Sequence, residues 1–390
     1  MVGRPASAGS QSALREANSA RILETVRRFG GITQVELVEA TGLSPATVST
    51  IVKNLLAAGV VETRNTVRSG RRASLVTLAH QQGLLVGVQI GARAMRLALA
   101  DTGFQLLEKR ALPLPADHRL DTTLDRVALL IVELVEEMGS ALGEVRGIGV
   151  ALPAPVDPDT GQIALPGIMR GWEGERVGDV IEARLRQPTF VDNDANLGAL
   201  GEARFGAARG YRDVVYVRAS YDTGAGILLG GAIHHGVRGT AGEIGHALVD
   251  PLGPICRCGS RGCLNTVVGA QSLIDSLQFS HGTMSLADLI RFAQEGDPGC
   301  RQVVEDAGAV IGTVVANTAV ALSPGVVVVG GELARTGELL IEPVQNAVAR
   351  RILLGRDGTL PVVRGQLEDD AEVMGALALA SDHVVAGGQQ

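Results

Sequence analysis

Three cysteines near the middle of the chain have the type and spacing that suit a metal ion. Cys256, Cys258 and Cys263 fall within eight residues, and the fourth cysteine, Cys300, stands apart from them. Thiolates are ligands that zinc prefers, and Gly259 gives the backbone the freedom to turn around an ion. Buried cysteines without a metal are the alternative, because this residue type is often buried with no ligand role. The spacing favours a structural zinc site, and we interpret Cys300 as an unrelated thiol.

A second group of residues suits the chemistry of hydroxyl groups. Asn193 and Asp194 follow a short apolar run that ends at Val191-Asp192. A carboxylate in this position can accept a proton from a hydroxyl group, and it can equally bind the hydroxyl without any reaction. The same Asn-Asp-Ala-Asn segment precedes a helical run, where such side chains cap helices. The residues alone favour a capping or turn role for Asp194.

The composition indicates a folded chain with one basic end. Its 390 residues are 46% hydrophobic and 20% charged, which excludes a disordered chain and is enough for two or three domains. Residues 1–80 carry ten basic and five acidic side chains, although the whole chain has a formal charge of −7. A basic segment on an acidic chain predicts a nucleic-acid contact that is confined to that end.

Residues 15–80 are predicted to form a winged helix-turn-helix, after a mobile segment at residues 1–14. Thr33 and Glu36 match a capping box that opens one short helix, and Ser44 with the proline after it opens the next. This second helix has an apolar face and an opposite face of short polar side chains, which suits a DNA major groove. A glycine flanked by arginines at the tip of the following hairpin suits a minor groove or a phosphate backbone.

The predicted DNA contacts are the polar face of that helix and the arginines of the hairpin. A three-helix bundle with a solvated basic hairpin is the alternative, because helix-turn-helix topology also occurs outside DNA binding. The short turn, the capped helix and the basic hairpin together favour DNA binding. The residues concerned are Ser44, Ala46, Thr47, Ser49, Thr50, Lys53, Asn54, Arg68, Arg71 and Arg72.

Residues 81–390 have the pattern of a two-lobed α/β body with an internal duplication. The apolar strand Leu84–Ile90 is followed by a glycine turn and a second strand, and the same order recurs from Val214–Val217 onward. Two such openings roughly 130 residues apart indicate a repeated α/β unit.

Neither the apolar stretches nor the start of the sequence indicates a membrane or secreted protein. The longest apolar stretch, Ala309–Gly331, is interrupted by Asn317 and by Ser323-Pro324. It predicts a buried helix followed by a buried strand, because a membrane span needs about 20 apolar residues without such a break. Arg4 is not followed by the apolar segment of a secretory signal. We therefore expect a cytoplasmic protein.

Three motifs resemble those of a known family. They are Val191–Asn196 (VDNDAN), Gly242–His246 (GEIGH) and Cys256–Cys263, which begins ten residues after His246. Together with the predicted winged helix-turn-helix, these motifs make nearly the whole chain similar to ROK proteins (repressors, open reading frames and sugar kinases). The resemblance is to the branch of transcriptional regulators that includes the xylose and N-acetylglucosamine repressors. It implies a body with the two-lobed, actin-like ATPase fold.

The resemblance also implies a sugar site and a fourth zinc ligand. Sugar kinases of the family use an aspartate at the position of Asp194 as a general base, with Asn193 beside it. Glu243 and His246 match other sugar contacts of the family. His246 would complete a Cys₃His zinc site with one ring nitrogen and face the sugar with the other. Asn265 stands where the family usually has a glutamate that contacts the sugar, and an amide can still bond a hydroxyl.

Departures from the kinases of the family predict that this chain does not transfer phosphate. The first phosphate loop of the family reads Asp-x-Gly-Gly-Thr-Lys, and Gln89, Ala92 and Arg93 replace its acid, its second glycine and its threonine. In the second loop Asp222 replaces a glycine, and a carboxylate there repels a triphosphate. We therefore expect no ATP binding and no catalytic residue.

The combined expectation is a DNA-binding transcriptional regulator, a repressor of carbohydrate-related genes. A homodimer would bind two half-sites of an operator, and a sugar or sugar derivative between the lobes would change the spacing of the heads. The first lobe is expected at 81–194 with about 371–390. The second is expected at 195–370, with the zinc loop and the dimer interface. A sugar kinase with a DNA-binding head and a regulator controlled by a protein partner are the alternatives.

Overall fold

The computed structural model divides the chain into two compact units. One comprises Met1–Leu84 with Ala100–Leu107, and the other comprises Leu85–Leu99 with Glu108–Gln390. We call the described part of residues 8–78 the head and the second unit the body. The residues that the structure describes are 8–29, 31–68, 71–78, 83–115, 117–165, 168–169, 171–351 and 360–387.

The head consists of three helices and a three-stranded sheet in the order β1-β3-β2. The helix α1 begins at Ala8, inside the segment 1–14 that was predicted to be mobile, because the helical run continues towards the N-terminus beyond its apolar residues. The elements are α1 (Ala8–Phe29), β1 (Ile32–Thr33), α2 (Gln34–Thr41), α3 (Pro45–Ala57), β2 (Val61–Arg68) and β3 (Arg71–Leu78).

The predicted helix caps of the head are confirmed. The side chain of Thr33 accepts a hydrogen bond from the backbone N–H of Glu36, whose carboxylate accepts one from the backbone N–H of Thr33. Ser44 accepts a hydrogen bond from the N–H of Thr47 at the start of α3. Each cap satisfies backbone donors that the first helical turn leaves free, so the turn between α2 and α3 is fixed by local sequence.

A first five-stranded sheet follows the head, in the order β6-β5-β4-β7-β8, with β7 and β8 parallel. Helix α4 precedes β7 in the sequence and α5 precedes β8. The elements are β4 (Leu84–Ile90), β5 (Ala94–Asp101), β6 (Leu106–Pro113), α4 (Leu120–Glu137), β7 (Val145–Leu152), α5 (Val177–Leu185) and β8 (Thr189–Asn193).

A second five-stranded sheet repeats this arrangement, in the order β11-β10-β9-β12-β13. In both sheets the first three strands are neighbours in reverse order, and the fourth and fifth strands follow on the other side of the first. The predicted duplication is therefore confirmed. The strands are β9 (Val214–Ala219), β10 (Thr223–Leu229), β11 (Ala232–Ile233), β12 (Val326–Gly330) and β13 (Val362–Arg364).

Seven helices complete the described part of the body. The longest of them, α10, and the strand β12 confirm the predicted buried helix and buried strand. The helices are α6 (Asp194–Phe205), α7 (Asn265–Val268), α8 (Ala270–His281), α9 (Leu286–Glu295), α10 (Pro298–Leu322), α11 (Glu338–Arg351) and α12 (Ala371–Gly387). Among the described residues α10 is the one helix whose length and composition would allow a membrane span, and half of its most apolar segment is buried inside the fold.

Helix α12 packs on the first sheet and on α6 with almost no space between the backbones. A β-carbon on Gly149 of β7 would lie 1.9 Å from the carbonyl oxygen of Ala376. A β-carbon on Gly201 of α6 would lie 2.2 Å from the carbonyl oxygen of Ala371. These distances are far below van der Waals contact, so glycine is required on both neighbours of α12.

Candidate ligand and metal site

A cavity of about 220 Å³ in the body is lined by all the predicted ligand residues. The ends of β4, β8 and β9 and the starts of β10, α6 and α7 contribute to its wall. The residues that depart from the kinase phosphate loops also lie on it. The predicted residues on this wall are Asn193, Asp194, Glu243, His246, Asn265, Gln89, Ala92, Arg93 and Asp222.

Asn193 caps α6, and Asp194, the first residue of that helix, lines the cavity. The Oδ1 atom of Asn193 accepts hydrogen bonds from the backbone N–H groups of Ala195 at 2.9 Å and Asn196 at 3.2 Å. The capping role that the sequence favoured for Asp194 is therefore wrong, because its neighbour performs it. Asp194 is 5% exposed, and burial raises the pKa of its carboxyl group.

Arg218 on β9 places a buried positive charge beside that carboxylate. Its Nε lies 2.8 Å from Oε1 of Glu372 and 3.4 Å from Oδ2 of Asp194, and its Nη2 lies 3.8 Å from Oε2 of Glu332. A buried carboxylate needs a partner of opposite charge, and one guanidinium here faces three of them. Arg218, Glu332 and Glu372 were not predicted from the sequence. The signal for Arg218 is a charged residue inside the otherwise apolar strand VVYVRA.

Four buried polar atoms on the cavity wall have no hydrogen-bond partner among the described residues. Such an atom costs roughly 1–3 kcal/mol when nothing satisfies it. A molecule with several hydroxyl groups can donate to the carboxylate oxygens and also bond the protein hydroxyls. The wall is therefore suited to a polyhydroxylated ligand. The atoms are Asp194 Oδ2, Ser220 Oγ, Thr223 Oγ1 and Glu332 Oε2.

The four predicted metal ligands converge in the structure. The Sγ atom of Cys256 lies 3.5 Å from Nδ1 of His246, and Sγ of Cys258 lies 3.7 Å from Sγ of Cys263. All four ligand atoms lie within 4.8 Å of one another. Tetrahedral zinc with ligands at about 2.0–2.3 Å separates its ligand atoms by about 3.3–3.8 Å. The residues therefore fit a Cys₃His ion with little movement of the loop.

His246 belongs both to the metal cluster and to the cavity wall. Its Nδ1 faces Cys256, while its Nε2 lies 3.7 Å from Oε2 of Glu243. His246 and Glu243 both line the cavity. A metal ion on Nδ1 would fix the orientation of the ring, and the ring in turn packs beside Glu243. The cluster can therefore hold one side of the cavity in place.

Asn265 lies on the cavity wall, but its carbonyl oxygen already has a partner in the protein. Its Oδ1 accepts a hydrogen bond of 2.7 Å from the backbone N–H of Thr223, the first residue of β10. A β-carbon on Gly245 would lie 2.4 Å from Nδ2 of the same amide. Asn265 therefore joins α7 to the turn before β10 and to the segment that carries His246.

The three residues on the cavity wall that were predicted to replace phosphate-loop residues have partners within the body. Oε1 of Gln89 accepts a hydrogen bond of 3.1 Å from Nη1 of Arg96. Oδ2 of Asp222 lies 3.0 Å from Nη2 of Arg257. The guanidinium of Arg93 lies 5.6 Å from the centre of the ring of Tyr221. Each of the three side chains is therefore held by a neighbour on the same wall.

The polar face of α3 is open to solvent. Ala46, Thr50, Lys53 and Asn54 are exposed, and Thr47 and Ser49 on the same face are half-buried. In the hairpin, Arg68 pairs with Arg71 across β2 and β3, and Arg72 follows on β3. The side chains of these three arginines, and Ser69 and Gly70 between them, lie outside the described part of the chain.

Comparison with known families accounts for both units. The ROK family model matches residues 85–383, and the MarR family model matches residues 16–72. The chain therefore belongs to the ROK family, and it carries a MarR-type helix-turn-helix domain before the ROK body.

Individual proteins are similar over most of the chain. The N-acetylglucosamine repressor of Escherichia coli O157:H7 is 29% identical over 400 residues, which cover 99% of this chain and 97% of that protein. The structure of a ROK family transcriptional regulator, a homolog of the E. coli MLC protein, matches this chain with a TM-score of 0.73 and 23% sequence identity. The match covers 96% of this chain and 97% of that protein, and at this identity it shows the fold alone. A ROK family glucokinase from Streptomyces griseus, in complex with glucose and AMPPNP, has a TM-score of 0.68 at 26% identity over 77% of this chain and 100% of its own.

Proposed function

We propose that this chain is a sugar-responsive transcriptional repressor of carbohydrate-related genes, in which the head binds operator DNA and the body binds the effector. The observation that carries the effector site is the group of buried polar atoms around Asp194 that have no hydrogen-bond partner among the described residues. The DNA-binding role is supported by the MarR-type domain and by the similarity to a sugar-gene repressor along the whole chain. The effector is a sugar or sugar derivative that contacts Asn193, Asp194, Glu243, His246 and the amide of Asn265.

The same geometry supports binding without phosphoryl transfer. Sugar binding needs no proton transfer, because the carboxylate of Asp194, 3.4 Å from the guanidinium of Arg218, can accept a hydrogen bond from a hydroxyl group without taking its proton. Kinases also need backbone N–H groups and Mg²⁺ around the phosphates. Gln89, Arg93 and Asp222 occupy those positions here, and Asp222 would repel a triphosphate. A kinase with a DNA-binding head is the second candidate, because a glucokinase of the family shares the fold of the body.

In this proposal the cytoplasmic repressor is a homodimer, and zinc has a structural role. His246, Cys256, Cys258 and Cys263 hold the ion and leave no position open for a reacting water. The first lobe is formed by residues 81–194 and about 371–390, and the second by residues 195–370. Closure of the lobes on a sugar changes the spacing of two heads on a palindromic operator. The coupling between the two sites is expected to be about 1–3 kcal/mol.

A thermal-shift screen tests the effector site. We expect one class among neutral monosaccharides, amino sugars and sugar phosphates to raise the melting temperature, since a ligand of the folded state stabilises it by mass action. The shift should be lost in Asp194→Asn, and ATP–Mg²⁺ should cause none. A shift with ATP–Mg²⁺, or sugar phosphorylation that is lost in Asp194→Asn, would establish the kinase instead. No shift with any compound would favour control by a protein partner.

The double variant Arg71→Ala/Arg72→Ala tests the hairpin. We expect operator affinity to fall at least tenfold at physiological salt, and the slope of log affinity against log salt to decrease by about 2, because two phosphate contacts are lost. The probe is a duplex that the wild-type chain selects from random DNA. The matched control is Arg291→Ala/Arg301→Ala, two exposed arginines of the body. Wild-type affinity in the hairpin variant would refute its role in DNA binding.

Loss of one thiolate tests the metal loop. Cys258→Ser is expected to lower the zinc content by one ion per chain, measured by mass spectrometry of the metal, because three remaining ligands hold zinc weakly. The effector-induced thermal shift should shrink as well, since His246 packs beside Glu243. Ser260→Ala in the same exposed loop is the control and should keep the ion. An unchanged zinc content in Cys258→Ser would mean that the ion is bound elsewhere.

A further inference from the structure

A second cluster of donor atoms lies in the body, apart from the cavity and from the cysteine loop. It consists of His281 at the end of α8, Asp297 immediately before α10, and Cys300 in the first turn of α10. The Nε2 atom of His281 lies 3.1 Å from Oδ2 of Asp297 and 3.9 Å from Sγ of Cys300. All three donor atoms lie within 4.8 Å of one another.

Both ring nitrogens of His281 face polar groups. Its Nδ1 lies 2.8 Å from the hydroxyl oxygen of Ser280, which also lies 3.1 Å from the carbonyl oxygen of Leu277. Its Nε2 lies 3.1 Å from Oδ2 of Asp297. In the tautomer whose Nδ1–H bonds to Ser280, the lone pair on Nε2 is available to a metal ion beside that carboxylate.

The buried thiol of Cys300 adds a third donor beside the same nitrogen. Without a metal ion, Nε2 and the carboxylate of Asp297 form an ordinary hydrogen bond, and the thiol is hydrogen-bonded to the same carboxylate. Zinc with nitrogen and oxygen ligands at about 2.0–2.2 Å and sulfur at about 2.3 Å needs separations of about 3.3–3.7 Å. The observed separations of 3.1 and 3.9 Å each lie about 0.2 Å outside that range, so small shifts of the side chains accommodate an ion.

Hydrogen bonds from neighbouring groups also fix the orientation of the ligand side chains. Oδ1 of Asp297 accepts a hydrogen bond of 2.8 Å from the backbone N–H of Cys300, so helix capping directs Oδ2 towards the imidazole. The hydrogen bond to Ser280 fixes the ring of His281 in the same way that second ligand shells do in metal sites. The side chains of His281 and Asp297 are 19% and 31% exposed, which leaves a path for an ion and for a water ligand.

We propose that His281, Asp297 and Cys300 bind a second transition-metal ion of the zinc class, with water in the fourth position. The ion connects the end of α8 to the start of α10 across the hairpin that contains α9. The site does not depend on the function proposed above, because none of its ligands lines the cavity or belongs to the cysteine loop. From the sequence we interpreted Cys300 as an unrelated thiol, because it stands 37 residues from the nearest other cysteine.

Metal content of the full chain tests this site. The chain is produced with added zinc and purified without chelator, and zinc is counted per chain. We expect two ions in the wild type, and one each in Cys300→Ala and in Asp297→Asn. The asparagine variant keeps the helix cap, so its folding is preserved while the charged ligand is lost. Asp306→Asn, an exposed carboxylate on the same helix, is the matched control and should keep two ions.

The zinc content of the variants also distinguishes the ion proposed here from the ion of the cysteine loop. Cys258→Ser removes the loop ion and should leave the one at His281. Zinc content that is unchanged from the wild type in both Cys300→Ala and Asp297→Asn would overturn the proposal, and the cluster would then be a hydrogen-bonded histidine and aspartate beside a buried thiol. As a second readout, Co²⁺ is added to the metal-free chain. A thiolate-to-cobalt absorption that is present in the wild type and reduced in Cys300→Ala is expected.

Discussion

Replacement of Arg218 by methionine is expected to lower the free energy of unfolding of the body by about 3–5 kcal/mol. Methionine fills a similar volume, so the expected loss comes from charge and not from a cavity. The guanidinium is the positive group that faces Asp194, Glu332 and Glu372 at 2.8–3.8 Å. Without it, Asp194 and Glu372 have no ion-pair partner in the described part of the chain, and Glu332 is left with the more distant Arg96. Urea unfolding followed by circular dichroism measures the loss.

The pH dependence of this variant has a definite sign. Burial raises the pKa of Glu372 to about 7, from 4.5 in the unfolded chain, even with Arg218 beside it. An acid whose pKa is raised in the folded state stabilises that state when protonated, and this stability is lost as the pH rises through the folded pKa. Arg218→Met should therefore be closer to the wild type at about pH 5 than at about pH 8.

A surface arginine provides the comparison for Arg218. Arg301 on α10 lies 3.9 Å from Glu305, and both side chains are exposed. Arg301→Met is expected to change stability by less than about 0.5 kcal/mol, with no marked dependence on pH. If Arg218→Met behaved like this control, the buried ion cluster would contribute nothing to stability.

Replacement of Gly149 by alanine is expected to destabilise the body by about 3 kcal/mol or more. The new methyl group would lie 1.9 Å from the carbonyl oxygen of Ala376 and 2.6 Å from its carbonyl carbon. Both are backbone atoms of α12, so no side-chain rotation can relieve the overlap, and the whole helix has to move away from β7. Overpacked cores usually lose about 1–3 kcal/mol, and this contact is at the upper end because it involves two backbones.

A second glycine serves as the control for this substitution. Gly143 precedes β7, and a β-carbon there would meet no atom within 4 Å. Gly143→Ala should leave the melting temperature unchanged or slightly raise it, because alanine reduces the entropy of the unfolded chain. A melting temperature for Gly149→Ala equal to that of Gly143→Ala would show that α12 can shift on the sheet at no cost.

Features fixed by neighbouring residues could be predicted from the sequence. At Thr33 and Ser44 the capping side chain accepts a hydrogen bond from the backbone N–H three residues later, so this chemistry is visible in the printed sequence. The repeated strand–turn–strand pattern predicted that the body contains two similar α/β units, and the two sheets share one strand order. The cavity residues Asp194, Glu243 and His246 were predicted through resemblance to the ROK family, because a motif keeps its place in a shared fold.

Features that join distant segments could not be predicted. Arg218 and Glu372 are 154 positions apart, and the hydrogen bond between them exists only after α12 has packed on α6 and β7. The carboxylate of Asp192 and the ring of His235 form a contact of 2.6 Å across 43 positions for the same reason. No periodicity or spacing in a single sequence predicts which two residues will form such a pair, because each partner lies in a strand, helix or loop of its own, far from the other along the chain.

The position of α12 in the sequence has a consequence for synthesis on the ribosome. The core of the head lies within residues 22–76, so a nascent chain can fold this part while the body is still being translated. Helix α12 packs against a glycine in each of β4, β7 and α6. These three elements therefore cannot complete their packing until α12 has been synthesised. Translation that stalls before Ala371 therefore releases a folded head attached to an uncovered apolar sheet, which is a substrate for chaperones and proteases.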